Sequence, residues 1–138
     1  MTSDKPSVFI SYAHDDASLA KFIAGQLEHS GVETWRDEEP EAGVDWQQEL
    51  AKKLEEATLY VLLITPSYLQ SRWNNFELGV ALARAARSKD VRILPLTFGV
   101  SSAELPPPLR QLQTLSLDKN DATHVQQAIE AALHSVVG

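Results

Sequence analysis

Apolar positions along the chain follow two repeat lengths in turn, and the alternation predicts strands and helices one after another. Ser7–Ala13 (SVFISYA) is β-rich and mostly apolar, the pattern of a strand buried on both faces. Asp15 or Asp16 then caps a helix with Leu19, Phe22, Ile23 and Leu27 on one stripe, ended by Gly31. Val32–Trp35 reads as a short second strand. Arg36–Gly43 (RDEEPEAG) is a charged loop, since its Pro and Gly suit a turn and its acids suit solvent. Asp45 with Gln48 makes a capping-box pair for a helix whose apolar face is Trp46, Leu50, Leu54 and Ala57.

The most apolar run, Thr58–Thr65 (TLYVLLIT), predicts a central parallel strand stopped by Pro66. Ser71–Arg87 follows as a helix with apolar residues on nearly every face, a profile that predicts burial, with Ser71 as its N-cap. In Val91–Thr97 the internal Pro95 demotes at least the far end to an edge or a bulge. Phe98–Gln113 is irregular, because Pro106, Pro107 and Pro108 rule out a long regular element. Thr114–Leu117 is a short last strand. Asp121 caps a terminal helix with Val125, Ile129, Ala132, Leu133 and Val136 on one stripe. Strand then helix, repeated to the end of the chain, predicts an α/β domain: a flavodoxin-like, doubly wound parallel five-stranded sheet with helices on both faces. Residues 1–6 are expected to be a disordered lead and residues 7–138 a single domain.

Composition narrows the function classes. The chain has 138 residues, 43% hydrophobic and 22% charged, enough for one domain with a real core. A net charge of -7 argues against nucleic acid or an anionic membrane as partner. With no cysteine there is neither a disulfide framework nor a thiolate metal site. The apolar run near the N-terminus is too short for a signal peptide and no segment is long enough to span a bilayer, so a soluble cytoplasmic domain is expected.

In a doubly wound sheet ligands bind outside the carboxyl ends of the strands. That rule brings together Ala13–Asp16, Asp37–Trp46 and the start of the Ser71–Arg87 helix. The helix carries one isolated acid, Glu77, four positions after Trp73 and therefore on the same face. No base stands one turn away, and Arg84 is two turns off. Spacing alone leaves two readings open: a rim carboxylate reaching water, or a functional one.

Other chemistries find no support. The turn after the first strand, YAHDD, has no glycine, which excludes a dinucleotide fingerprint and a P-loop. A phosphoacceptor receiver would need an Asp where the third strand ends in Thr65-Pro66. His14, His29, His124 and His134 show no metal-ligand spacing, and only His14 lies in the crevice loop. No serine has a nucleophile-elbow motif.

Four segments in register, VFISYAHDD, WRDEEPEAGVDW, LLITPSYLQSRW and WNNFE, resemble the TIR (Toll/interleukin-1 receptor homology) domain family over nearly the whole chain. The bacterial branch that cleaves NAD is the nearer likeness, because those members carry Trp-x-x-x-Glu on the third helix. The resemblance implies that Glu77 is the catalytic acid of an NAD nucleosidase. It also implies that Tyr12, Ala13, His14, Asp37, Trp46 and Trp73 bind substrate, although Ala13 stands where some relatives carry a basic residue. No metal and no cofactor are implied, NAD being the substrate. Further implications are partners among other TIR domains by homotypic head-to-tail assembly, and a role in bacterial immune signalling. Many TIR domains only assemble with one another, so a non-catalytic interaction module is the alternative.

Overall fold

A computed structural model describes residues 7–36, 46–71, 76–105, 107–110, 115–117 and 122–137. Within these, only the backbone is described for Trp46, Gln47, Glu49, Ser71, 76–78, Ser102, Pro108, 115–117, Ala122 and 132–137. The strands are β1 (Ser7–Ser11), β2 (Glu33–Arg36), β3 (Leu59–Ile64), β4 (Arg92–Phe98) and β5 (Leu115–Leu117). They form one sheet in the order β2-β1-β3-β4-β5, with every neighbouring pair parallel. The helices are α1 (Ala17–His29), α2 (Trp46–Glu56), α3 (Pro66–Ser71), α4 (Phe76–Arg87), α5 (Pro107–Arg110) and α6 (Ala122–Val137).

Strand pleating explains the two layers of core. Side chains of period two point to opposite faces, and in β3 all six residues are buried. Val8 and Ile10 of β1, with Leu59, Val61 and Leu63 of β3, pack against Ala20, Ile23 and Leu27 of α1 and Val125 and Ile129 of α6. On the opposite face Phe9 and Tyr60 meet Leu50, Leu54 and Ala57 from the α2 side and Ala81 of α4. Beyond them Leu62 and Ile64 pack with Tyr68, Leu105 and Leu109. Each fully buried aliphatic or aromatic side chain contributes about 1.5–3 kcal/mol through area removed from water.

α1 ends as its sequence predicts. Gly31 takes φ of +88°, Gly31 N–H donates to Glu28 O at 3.0 Å, and Val32 N–H donates to Leu27 O at 3.3 Å. This is the Schellman pattern, with the left-handed position given to glycine.

One local expectation is extended and three fail. Pro66 does more than end β3: Thr65 Oγ1 accepts the Tyr68 N–H at 3.1 Å and so caps a new helix with Pro66 at its first position. Ser71, expected to start the long helix, is the last residue of that short one, and α4 opens at Phe76. α4 is also less buried than its apolar profile suggests. Ala81 is buried, whereas Gly79, Ala83, Ala86 and Arg87 are exposed, because alanine and glycine can face water at little cost. Finally, β4 runs straight through Pro95, which pairs with Leu62. Among the described residues β4 pairs with β5 from Leu96 to Phe98, beyond the proline.

Candidate functional site

The strand order reverses between β1 and β3, and in a parallel sheet this switch point leaves a crevice at the carboxyl ends. β1 delivers Tyr12 and Ala13 to its floor, both buried, at 6% and 2% exposure. Tyr12 packs in the core shared with α1, and Ala13 packs against Leu62, Ile64 and Tyr68. A ligand at the crevice would therefore meet chiefly their backbone. His14–Asp16 then makes one 3-10 turn, with His14 and Asp15 exposed and Asp16 half-buried. Among the described residues no group of three or more His, Asp or Glu could hold a metal ion.

Asp16 occupies the N-cap position of α1 but makes no side-chain cap hydrogen bond. Its Oδ2 instead accepts the Thr65 hydroxyl at 2.5 Å, in the range of charge-assisted O–H···O⁻ bonds. Next to it the Ser11 and Tyr68 hydroxyls share a buried hydrogen bond of 3.1 Å. Capping was the expected role for at least one of Asp15 and Asp16; for Asp16 a partner 49 residues away has taken its place.

Glu77 is the second residue of α4. The crossover between the parallel strands β3 and β4 puts the amino end of α4 toward the carboxyl edge of the sheet. The helix dipole favours negative charge there. The side chains of Glu77 and Trp46 lie outside the described residues, as do Asp37 and Trp73 entirely.

Arg84 belongs to the other end of the sheet. Its Nη1 donates to Leu54 O and Ala57 O, each at 2.7 Å, and to the Tyr60 hydroxyl at 2.8 Å. The Tyr60 hydroxyl in turn donates to Leu54 O. The guanidinium thus caps the carbonyl end of α2, where a cation is also favoured by the dipole. Burial pushes the Tyr60 phenol above the usual tyrosine range, and the hydrogen bond and charge of Arg84 oppose that shift. Nothing in the local spacing of the sequence pointed to this knot, since its members lie 24 to 30 residues apart.

Two open grooves lie in the helix layers: one of about 580 Å³ lined by Glu55, Val80, Arg84 and Arg87 among others, and one of about 490 Å³ that includes Phe22 and His29. Neither is lined by the crevice residues.

A parallel 2-1-3-4-5 sheet with helices packed on both faces defines a doubly wound α/β domain. A TIR domain family model matches residues 8–133, and the chain belongs to that family. It is 29% identical over 99 residues to the 2' cyclic ADP-D-ribose synthase BtTIR of Bacteroides thetaiotaomicron, covering 70% of this chain and 34% of that protein. It is 25% identical over 99 residues to the NAD(+) hydrolase TcpC of Escherichia coli, covering 70% of this chain and 32% of that protein. Among solved structures it superposes on a metazoan TIR-STING receptor from C. gigas with a TM-score of 0.72 and 27% identity, over 94% of this chain and 41% of that one. The chain thus spans about a third of the length of these two curated relatives. Among the described residues no helix is long and apolar enough to cross a membrane.

Proposed function

We propose that this chain cleaves the bond between nicotinamide and ribose in NAD, with Glu77 as the catalytic carboxylate. The observation that carries the reading is Glu77 itself: an acid in the first turn of α4, on the crevice side of the sheet, four residues after Trp73. The 2' cyclic ADP-D-ribose synthase and the NAD(+) hydrolase among its relatives, at 29% and 25% identity, support it.

The chemistry needs only one acid. When the C1′–N bond breaks, its electron pair neutralises the pyridinium nitrogen, so nicotinamide departs neutral and no general acid protonates it. A glycosidase acting on an ordinary sugar needs a second carboxyl for that step. What remains is an oxocarbenium-like ribose, which a fixed carboxylate stabilises by charge. Water then adds and releases a proton to give ADP-ribose, or an internal hydroxyl adds to give a cyclised product. In this reading Trp73 walls the ribose. Trp46, Tyr12 and the backbone of Ala13 and His14 contact the nucleotide, and Asp37 fixes the charged loop.

Activity is gated by head-to-tail assembly with other copies, a heterologous contact that can extend into filaments, in the setting of bacterial immune signalling. The test is nicotinamide release from NAD across a wide protein dilution series. Release that rises more than linearly with protein concentration is expected. Release that stays linear in a monomeric species removes the assembly gate. No release at any concentration leaves the alternative, a TIR module that only assembles.

A further inference from the structure

We propose that Thr65 and Asp16 are positioning residues for this reaction: their hydrogen bond fixes where the chain leaves β3 and thereby sets the approach of α4 to the crevice. The inference rests on the reading of Glu77 above.

Asp16 stands where a carboxylate ordinarily accepts the backbone N–H groups of the helix it begins. It forgoes that bond and accepts one from Thr65, across the switch point. The Thr65 hydroxyl is used twice, donating to Asp16 and accepting from Tyr68 N–H. Tyr68 closes the circuit through its own hydroxyl, paired with Ser11 at the end of β1.

The circuit is largely sealed from solvent: Ser11 is 1% exposed, Thr65 7% and Tyr68 0%. Two hydrogen bonds therefore tie the end of β1 and the start of α1 to α3 and its cap, and a third holds that cap to the first turn of α3. Only residues 72–75 separate α3 from α4. Leu82 of α4 packs against the buried cluster that holds Tyr68, so in this proposal a shift of α3 is passed to α4, which carries Glu77. A hydroxyl bonded to a carboxylate is short and directional, which suits a part whose work is to hold an angle.

The test uses Thr65→Val, Thr65→Ser and Asp16→Asn in the full chain. Val keeps the shape of Thr but removes the hydroxyl that donates to Asp16 and accepts from Tyr68. Nicotinamide release by Thr65→Val is expected to fall about 10- to 100-fold in kcat with KM unchanged, the size of effect a small misplacement of reacting groups produces. Thr65→Ser, which restores the hydroxyl, should return kcat close to wild type. Asp16→Asn, which keeps an acceptor oxygen and loses its charge, should lie between the two. An unchanged kcat, or a rise in KM in its place, overturns the proposal, the latter because it marks direct contact with substrate.

Amide hydrogen exchange supplies a readout independent of NAD. Thr65→Val should speed exchange across 66–71 and the first turn of α4 while leaving β3 and α2 as in wild type. Unchanged exchange in the first turn of α4, or a uniform rise throughout the molecule, overturns the proposal even if NAD is cleaved. If wild type cleaves no NAD, the activity reading fails while the exchange pattern still decides the clamp. Should Thr65→Val not fold, Asp16→Asn carries both readouts.

Discussion

The two ends of the sheet solve the same problem with opposite chemistry. At the amino end Arg84, Tyr60 and the last carbonyls of α2 form a knot built on a cation. At the carboxyl end Asp16, Thr65, Tyr68 and Ser11 form a circuit built on an anion. The knot satisfies carbonyls that a helix end leaves without partners, so its product is stability. The circuit draws a carboxylate away from its own helix, and its product is geometry at the switch point. α4 joins the two: Arg84 holds its far half to α2, while its near end opens beside the crevice. The difference teaches that one end of the sheet can be held for stability while the other is held for geometry.

Breaking the knot should have the largest effect on stability. Arg84→Ala removes three hydrogen bonds to a charged donor and leaves the carbonyls of Leu54 and Ala57, at the end of α2, without that partner. A loss on the order of 2–3 kcal/mol is expected, read by denaturant unfolding. In the molecules that stay folded kcat should change little. A stable Arg84→Ala protein with sharply reduced kcat would reverse the assignment of roles to the two ends.

Thr65→Val, the variant that strikes the circuit, loses a helix cap and should cost about 1–2 kcal/mol, with activity the more damaged quantity. Tyr60→Phe is the mildest, at about 1 kcal/mol for the lost hydroxyl. It has a distinct pH signature. The folded-state phenol titrates above its ordinary value near 10, so the folded protein holds that proton more tightly than the unfolded chain. The stability it contributes is complete below about pH 10 and is lost as pH rises toward the folded value. Tyr60→Phe should flatten this part of the alkaline profile relative to wild type. Parallel alkaline profiles for the two proteins would show that the raised phenol does not contribute.

Local signals carried most of the fold. Strand runs such as Thr58–Thr65, the stripe Ile23 and Leu27, and the Gly31 stop are each written within a few residues of the feature they specify. The strand–helix alternation was then enough to predict the parallel sheet. α3 was written in the sequence too, as Thr65 before Pro66, but a proline after a strand was read as a stop rather than as the first residue of a helix. The strand-interior rule for proline demotes Pro95, yet β4 continues through it, with Pro95 paired to Leu62 of β3.

The site was legible in part. Strand order brings Tyr12–Asp16 and the amino end of α4 to the carboxyl edge of the sheet. The partners of Asp16 and Arg84 do not, because no spacing rule links positions 24 to 49 residues apart. The role proposed for Glu77 rests on its pattern with Trp73 and the family likeness rather than on local chemistry.

The account turns on that carboxylate. The most direct measurement compares nicotinamide release by wild type and Glu77→Gln at equal concentration, with both shown to be folded by circular dichroism and thermal melting. Gln keeps the size of the side chain and removes its charge, so the comparison isolates electrostatic stabilisation of the ribose cation. A fall of about 100- to 1000-fold with an unchanged melt is the expected result. Release within about threefold of wild type, far short of what one lost transition-state stabiliser produces, would contradict the account and move catalysis elsewhere in the crevice.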